Sequence, residues 1–239
     1  MIYSETLKPR LSDIDFRGHI APEAILKILE DIGTHHSDSE GDLIISREEG
    51  DLAWILAEWH VSYRRLLLKR EQITVDTWIS GRPDSLYFFR NFLVKDEDGN
   101  EILRAQTKIV LVDIKTMNML RITDEIYKMF SPEEYSAFDS LPRIKARKEY
   151  DSEVALAIRL DDLDFNDHVH NTRYLGLALD ALGKDRLKDL DIKNIRYICR
   201  NAVTSGEEVF MRYTDEGSSI YLEFYGHEKP YMVMEIETF

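Results

Sequence analysis

An internal repeat constrains the fold of this chain more than any other feature of its sequence. Residues 12–26 read SDIDFRGHIAPEAIL and residues 161–175 read DDLDFNDHVHNTRYL, at a constant offset of 149. The two segments share five identical positions in fifteen, and two further pairs match in character. A repeat at this spacing in a chain of 239 residues predicts two related structural units.

Each copy of the repeat leads into an apolar helix pattern. After the first copy, Pro22 suits the opening turn of a helix and Gly33 is predicted to end it. The apolar stripe between them, at helical spacing, consists of Ile25, Ile28, Leu29 and Ile32. After the second copy, Asn171 or Thr172 is placed to cap a mostly apolar helix, which Gly183 is predicted to end.

Strand patterns follow both helices. Those of the first half cover residues 53–65, 72–80, 86–95, 102–113 and 117–121, and those of the second half cover residues 192–199, 208–213, 219–225 and 231–237. Each half therefore has a short strand, a long apolar helix and an antiparallel meander. This order predicts an α+β fold, a double hotdog in which two antiparallel sheets each wrap around a long central helix. The alternative is two similar helix entries on one α+β domain.

The predicted domain boundaries follow from the repeat. We expect an N-terminal hotdog over residues 1–130, a linker over residues 131–150 and a C-terminal hotdog over residues 151–239. In the linker, the sequence SPEE at residues 131–134 is typical of a helix start.

Composition excludes several functional classes. The chain has 31 Lys and Arg against 45 Asp and Glu, a net charge of -14, which argues against a general nucleic-acid binder. No apolar run approaches the roughly 18 residues that a membrane span needs. The single Cys199 excludes an internal disulfide framework and a multi-cysteine zinc site. The opening MIYSETLKPR lacks an apolar signal region, so we expect a cytoplasmic protein.

The second copy carries three polar residues at positions i, i+2 and i+4. In an extended segment, Asp164, Asn166 and His168 point to the same side. A carboxylate, an amide and an imidazole together suit hydrolysis by an activated water, with no cofactor, and the N–H groups of the following helix can stabilise an oxyanion. A covalent route through Asp164 remains open. The alternative is helix capping beside a hydrogen-bonded buried histidine.

The first copy serves as an internal comparison. It keeps Asp15 and His19, but Arg17 stands where the second copy has Asn166. Because an arginine cannot replace a neutral amide that positions a water, we interpret the first copy as scaffold.

Two other groups of residues are candidates for chemistry. His168 and His170 form a His-x-His pair, but no third or fourth ligand follows at metal-binding spacing, so we expect no metal. Cys199 lies in a predicted strand, where a cysteine usually behaves as a small buried hydrophobe.

Together these residues resemble the acyl-acyl carrier protein thioesterases, a family with a double-hotdog fold. The stretches that carry the resemblance are residues 13–19, 53–60, 73–78, 96–99 and 164–174. The resemblance implies hydrolysis of fatty acyl-[acyl carrier protein] to free fatty acid and carrier protein. By motif, it makes Asp164, Asn166 and His168 the catalytic positions, and it places the acyl-chain pocket in the N-terminal hotdog.

The chain departs from the family pattern in two places. His170 stands where the family typically has the first of two asparagines. Some members also use a glutamate on the strand after the second helix, and counting along this chain places Arg200 or Ala202 there. No glutamate is therefore transferred, and the chemistry rests on Asp164 and His168.

The resemblance also implies partners and a pocket lining. An acidic carrier protein requires a basic patch, and the candidate clusters are Arg64, Arg65, Lys69 and Arg70, or Arg143, Lys145, Arg147 and Lys148. The residues that either line the acyl pocket or form core are Ile25, Leu26, Ile28, Leu29, Trp54, Trp59, Phe88 and Phe89. The alternative functions are an acyl-CoA thioesterase and a non-catalytic acyl-binding protein. We expect no nucleic-acid or membrane partner, and either a monomer or a homodimer.

Overall fold

The structure, a computed structural model, describes residues 1–41, 52–141, 143–144, 147–227 and 229–239. Its strands are β1 (Tyr3–Leu7), β2 (Leu52–Tyr63), β3 (Ile73–Gly81), β4 (Tyr87–Lys95), β5 (Glu101–Asp113), β6 (Met119–Leu120), β7 (Ser152–Leu156), β8 (Ile192–Cys199), β9 (Val209–Asp215), β10 (Ser219–Gly226) and β11 (Lys229–Thr238). Its α-helices are α1 (Pro22–Ser39), α2 (Asp124–Met129), α3 (Arg173–Leu182) and α4 (Lys184–Lys188). Among the described residues, no helix is both long and apolar enough to cross a membrane.

The strands of both halves form one continuous antiparallel sheet. Its order is β1-β3-β4-β5-β2-β8-β11-β10-β9-β7, and β6 pairs with β5. The halves join where β2 pairs with β8, from Glu58 opposite Ile198 to Ser62 opposite Asn194. Our prediction of two separate sheets was therefore wrong. Each meander leaves one long strand at its edge, and pairing β2 with β8 satisfies the backbone groups of both edges.

Alternation along β2 directs one face of the sheet towards the helices. Trp59, Val61 and Tyr63 are buried, and the residues between them are half-buried. Both long helices contribute to the same core, which includes Leu26, Leu29, Trp59, Phe92, Leu175, Tyr197, Met211 and Phe224. Burying each large side chain of this kind contributes about 1.5–3 kcal/mol.

A second, smaller apolar cluster lies in the first half, beyond the core that both helices share. It contains Ile79, Phe88, Ile109, Leu111, Ile122 and Phe130, with Trp54 packed against it. The rings of Trp54 and Phe88 are 5.0 Å apart. Phe89 lies on the opposite face of β4, where its ring contacts Tyr87. Phe88 and Phe89 therefore do not line one pocket together.

All nine predicted strands are present, but two helix predictions need correction. Gly33 lies inside α1 and does not end it. A Cβ at this position would come within 2.9 Å of Arg90 Cδ, so the glycine makes room for that side chain. The helix predicted at residues 131–134 is absent. A short helix, α2, lies just before this segment, and its start is capped by the Thr123 hydroxyl, which accepts a hydrogen bond from Ile126 N–H at 3.3 Å. Gly183 ends α3 with a φ of +83°, as predicted.

The start of the linker covers the sheet face that points away from the helices. Trp78 Nε1 donates to the Tyr135 carbonyl at 2.9 Å, and the Phe138 ring stacks on His60 with centroids 4.0 Å apart. The linker therefore packs as part of the first half over residues 135–138.

Candidate active site

The second copy of the repeat forms a tight turn, which we call the second turn (residues 164–168). Asp164 Oδ1 accepts hydrogen bonds from the backbone N–H groups of Asn166 at 2.8 Å and His168 at 3.1 Å. The Asp164 N–H donates to the His168 carbonyl at 2.7 Å, and Asp167 has a φ of +61°. The extended segment on which we based the convergence of the three side chains is therefore not formed. A short carboxylate that bonds its own neighbouring N–H groups stabilises a turn over a strand.

The three predicted residues lie together because the backbones of Asn166 and His168 are hydrogen-bonded to Asp164, and not because alternate residues of a strand point to one side. Asp164 and His168 are half-buried, and Asn166 is exposed. The hydrogen bonds that join them run from the backbones of Asn166 and His168 to the Asp164 carboxylate. The amide of Asn166 therefore lies at the solvent side of the turn, where an approaching ligand can reach it.

The first copy forms the same backbone turn, the first turn (residues 15–19). Asp15 Oδ1 accepts from the N–H groups of Arg17 at 2.9 Å and His19 at 3.1 Å. The Arg17 side chain then pairs with Asp15 at 2.8 Å and donates to the carbonyls of Leu187 at 3.0 Å and Leu190 at 2.8 Å. Arg17 thus fastens this turn to the second half, which agrees with our interpretation of the first copy as scaffold.

The second turn and the residues after it lie against the first half of the chain. Asn171 Nδ2 donates to the Leu56 carbonyl at 2.8 Å. Arg173 donates to the fully buried carboxylate of Asp162 at 2.7 Å and to Glu23 on α1 at 2.6 Å. The candidate site therefore lies at the junction of the two halves, and both halves supply its side chains.

Two titratable groups that were not among the predicted site residues meet at this junction. Glu30 Oε2 on α1 lies 3.7 Å from His170 Nε2, and His170 Nδ1 lies 3.1 Å from Thr172 Oγ1. Burial, with smaller contributions from the charges of Asp31 and Asp164, raises the pKa of Glu30 to about 7. Burial lowers the pKa of His170. Glu30 therefore changes its charge near neutral pH.

The sequence contains a signal for Glu30 that the apolar stripe of α1 obscured. Glu23, Lys27 and Glu30 follow one another at i, i+4 and i+7, which places them on one side of the helix. Both glutamates of this charged stripe contact residues of the second half, Arg173 and His170. A second stripe on an otherwise apolar helix indicates a polar neighbour, but the sequence alone does not identify that neighbour.

Cys199 is a structural residue at this junction. Its Sγ donates to Asn171 Oδ1 at 3.4 Å, and burial raises the pKa of its thiol to about 12. The thiolate that a nucleophile requires is therefore not populated at neutral pH. Cys199 packs against the core as predicted, but it is half-buried and hydrogen-bonded rather than a fully buried hydrophobe.

Among the described residues, no metal site adjoins the second turn. In the part of the chain that the structure describes, no three His, Cys, Asp or Glu residues are placed to hold a metal ion. A polar surface depression of about 250 Å³ lies at edge strand β7 and not at the turn. Its lining consists of Lys148, Tyr150, Asp151, Ser152, Glu153 and Arg212.

Comparison with known proteins assigns the family. The sequence profile of the acyl-ACP thioesterase N-terminal domain matches residues 1–130, and that of the C-terminal domain matches residues 145–229. The chain belongs to the acyl-ACP thioesterase family. Among curated relatives, it is 24% identical over 214 residues to the chloroplastic oleoyl-acyl carrier protein thioesterase 2 of Arabidopsis thaliana. That alignment covers 81% of this chain and 57% of the relative, so the chain spans little more than half of the relative's length.

Solved structures of acyl-ACP thioesterases share the fold. The 12:0-ACP thioesterase from Umbellularia californica superposes with a TM-score of 0.88 at 20% identity, covering 99% of this chain and 96% of that chain. An acyl-ACP thioesterase from Bacteroides thetaiotaomicron gives a TM-score of 0.85 at 18% identity, covering 99% and 97%. The chain therefore has the hotdog-type fold of these proteins, with a mostly antiparallel sheet and few helices.

Proposed function

We propose that this protein hydrolyses the thioester of fatty acyl-[acyl carrier protein], releasing free fatty acid and carrier protein. The observation that carries the proposal is the contrast between the two turns. In the first turn, Arg17 is hydrogen-bonded to backbone carbonyls of the second half. In the second turn, the Asn166 amide is exposed beside Asp164 and the half-buried His168. The family match over residues 1–130 and 145–229 supports the thioester as substrate.

In this reaction Asp164 accepts a proton from water while the water oxygen attacks the thioester carbonyl carbon. The carbonyl π electrons move to oxygen, and N–H groups in the first helical turn of α3 stabilise that oxyanion. The carbon–sulfur bond then breaks, its electron pair leaves with sulfur, and the thiolate takes the proton from Asp164. The products are one carboxylic acid and one thiol. Asn166 and His168 orient the water and the carbonyl.

In this proposal the chain consists of two hotdog units, residues 1–130 and 151–239, each with its strands wrapped around one helix. The acyl chain binds in the first unit. Burying an acyl chain gains about 0.8 kcal/mol per CH₂. Of the residues predicted to line the pocket, Ile25, Leu26, Leu29 and Trp59 are fully buried core. Trp54 is half-buried, and its contact with the smaller apolar cluster supports a pocket on that side.

The carrier protein docks on a local basic patch. In the first predicted cluster, Arg64 and Arg65 pair with acidic neighbours, whereas Lys69 and Arg70 are exposed. The Lys69 N–H also donates to the Gly18 carbonyl, so this cluster adjoins the first turn. Lys69 and Arg70 are therefore the better candidates within it.

The second predicted cluster is partly neutralised. Arg147 pairs with Glu216 at 2.8 Å, and its guanidinium lies over the Tyr221 ring. Lys145 lies outside the described residues.

The test is hydrolysis of acyl-[acyl carrier protein] by the purified protein across acyl lengths, with free acid measured by mass spectrometry. The wild type should release acid, and Asp164→Asn, Asn166→Ala and His168→Ala should each lower kcat/KM. Charge reversal at Lys69 and Arg70 should slow turnover of the carrier-bound substrate and spare the CoA thioester. Preference for the CoA thioester would indicate an acyl-CoA thioesterase. Tight binding without turnover would indicate an acyl-binding protein.

A further inference from the structure

The strand after the second helix lacks the glutamate that some acyl-ACP thioesterases use, but the site does not lack a second carboxyl. We propose that Glu30 on α1 is a positioning residue that acts through His170. Glu30 from the first half and His170 from the second half together supply the acid–base function for which β8 holds no carboxyl. The inference rests on the proposed thioester hydrolysis.

Geometry is the first support. Glu30 Oε2 and His170 Nε2 are 3.7 Å apart, within ion-pair distance and slightly longer than a hydrogen bond. The other ring nitrogen of His170 lies 3.1 Å from Thr172 Oγ1, at the start of α3. The imidazole is therefore held between a carboxyl of one half and the helix start of the other. Its neighbour Asn171 is anchored to the Leu56 carbonyl, which fixes this backbone.

The repeat provides the second support, because the fold does not require a carboxyl at this place. The offset of 149 pairs Glu30 with Leu179 on α3, which is buried. The same offset pairs His170 with Ala21. The equivalent helix position thus accepts an apolar residue in the second half. The pair that meets beside the second turn therefore has only apolar equivalents at this offset, Leu179 and Ala21, and is not part of the repeated scaffold.

Electrostatics is the third support. The charged or titratable groups that face this pair are Glu23, Lys27 and Asp31 on α1, Asp164 in the second turn and Tyr197 on β8. Burial with neighbouring negative charge gives Glu30 a pKa of about 7, so its ionisation falls in the working range of a hydrolase. Ionised Glu30 favours the imidazolium form of His170, and protonated Glu30 does not.

The experiment compares the pH dependence of kcat/KM from pH 5.5 to 9 on the preferred acyl thioester, with released fatty acid as the readout. The wild type should gain activity as pH rises through about 7. Glu30→Gln should lose this rise and be about tenfold slower at pH 8. His170→Asn should show the same loss, and the double variant should be no more than about twofold slower than either single variant. Glu30→Asp should restore part of the rise.

Asp38→Asn is the matched control, since Asp38 is an exposed carboxylate on the same helix. It should retain the wild-type profile. A Glu30→Gln profile parallel to that of the wild type, or multiplicative losses in the double variant, would overturn the inference and leave the proposed function intact. A wild type without turnover on any acyl thioester would overturn both.

Discussion

The first and second turns share one backbone and differ in what their side chains do. In both, an aspartate carboxylate accepts from the N–H groups two and four residues later. In the first turn, the Arg17 side chain also forms an ion pair with Asp15 and donates hydrogen bonds to two backbone carbonyls of the second half. In the second turn, the Asn166 side chain is exposed and has no such ion pair or carbonyl partner among the residues that the structure describes. The comparison shows that the aspartate builds the turn, and the residue two positions later determines whether it is scaffold or open to a ligand.

The aspartates themselves provide the strongest test of this comparison. Asp164→Asn keeps an oxygen that accepts the turn hydrogen bonds but removes the proton acceptor, so we expect kcat/KM to fall by at least about 100-fold. Asp15→Asn should leave kcat/KM within about threefold of the wild type, because Asp15 builds the scaffold turn and takes no part in the proposed proton transfer. Thiol release from acyl-[acyl carrier protein] measures both. Equal losses would contradict the division of roles between the turns.

For the residues two positions after each aspartate, we expect the larger loss of stability in the first turn, at Arg17, and the smaller loss in the second turn, at Asn166. Arg17→Gln removes an ion pair with a side chain that is only 10% exposed and the Arg17 hydrogen bonds to the Leu187 and Leu190 carbonyls, so we expect the free energy of unfolding to fall by about 2–3 kcal/mol. Asn166→Ala should change it by less than about 0.5 kcal/mol while lowering activity. Urea unfolding measures both variants. A stability loss in Asn166→Ala as large as that in Arg17→Gln would make the amide structural.

The carboxyl facing the second turn should make stability depend on pH. Because the folded state raises the pKa of Glu30 from 4.5 to about 7, folding favours its protonated form. The stabilisation is therefore complete below pH 4.5 and is lost as pH rises through 7. With the side chain 26% exposed, we expect a loss of about 2 kcal/mol between pH 5 and pH 8.

Glu30→Gln should lack this loss, and Asp38→Asn should keep it. The quantity to measure is the difference in the free energy of unfolding between each variant and the wild type at the two pH values. Parallel curves for the wild type and Glu30→Gln would show that the carboxyl is not desolvated at the junction.

The phenylalanines at the tips of the turns should give the smallest effect. Phe165 is 97% exposed and Phe16 is 50% exposed, with Lys184 Nζ 5.4 Å from the Phe16 ring. Phe165→Ala should therefore change the free energy of unfolding by less than about 0.5 kcal/mol. Phe16→Ala should cost about 0.5–1 kcal/mol, which thermal unfolding can resolve. A larger cost for Phe165→Ala would indicate that the second turn is packed rather than open.

Local sequence patterns were sufficient for much of the fold. Alternating apolar residues predicted all nine strands of the two meanders, because the side-chain period of a strand follows from its own backbone. Helix ends were predicted less well. Gly33 has the residue type of a helix end, but its contact with Arg90 gives it a packing role inside α1.

The sequence by itself determined the duplicated unit, the strands and the residues Asp164, Asn166 and His168 as candidates, since all of these depend on order along the chain. Only the tertiary structure decided that β2 and β8 join the halves into one sheet and that Glu30 meets His170. Both are contacts between residues more than a hundred positions apart. Such contacts depend on how the two units pack, and no periodicity within either unit records that packing.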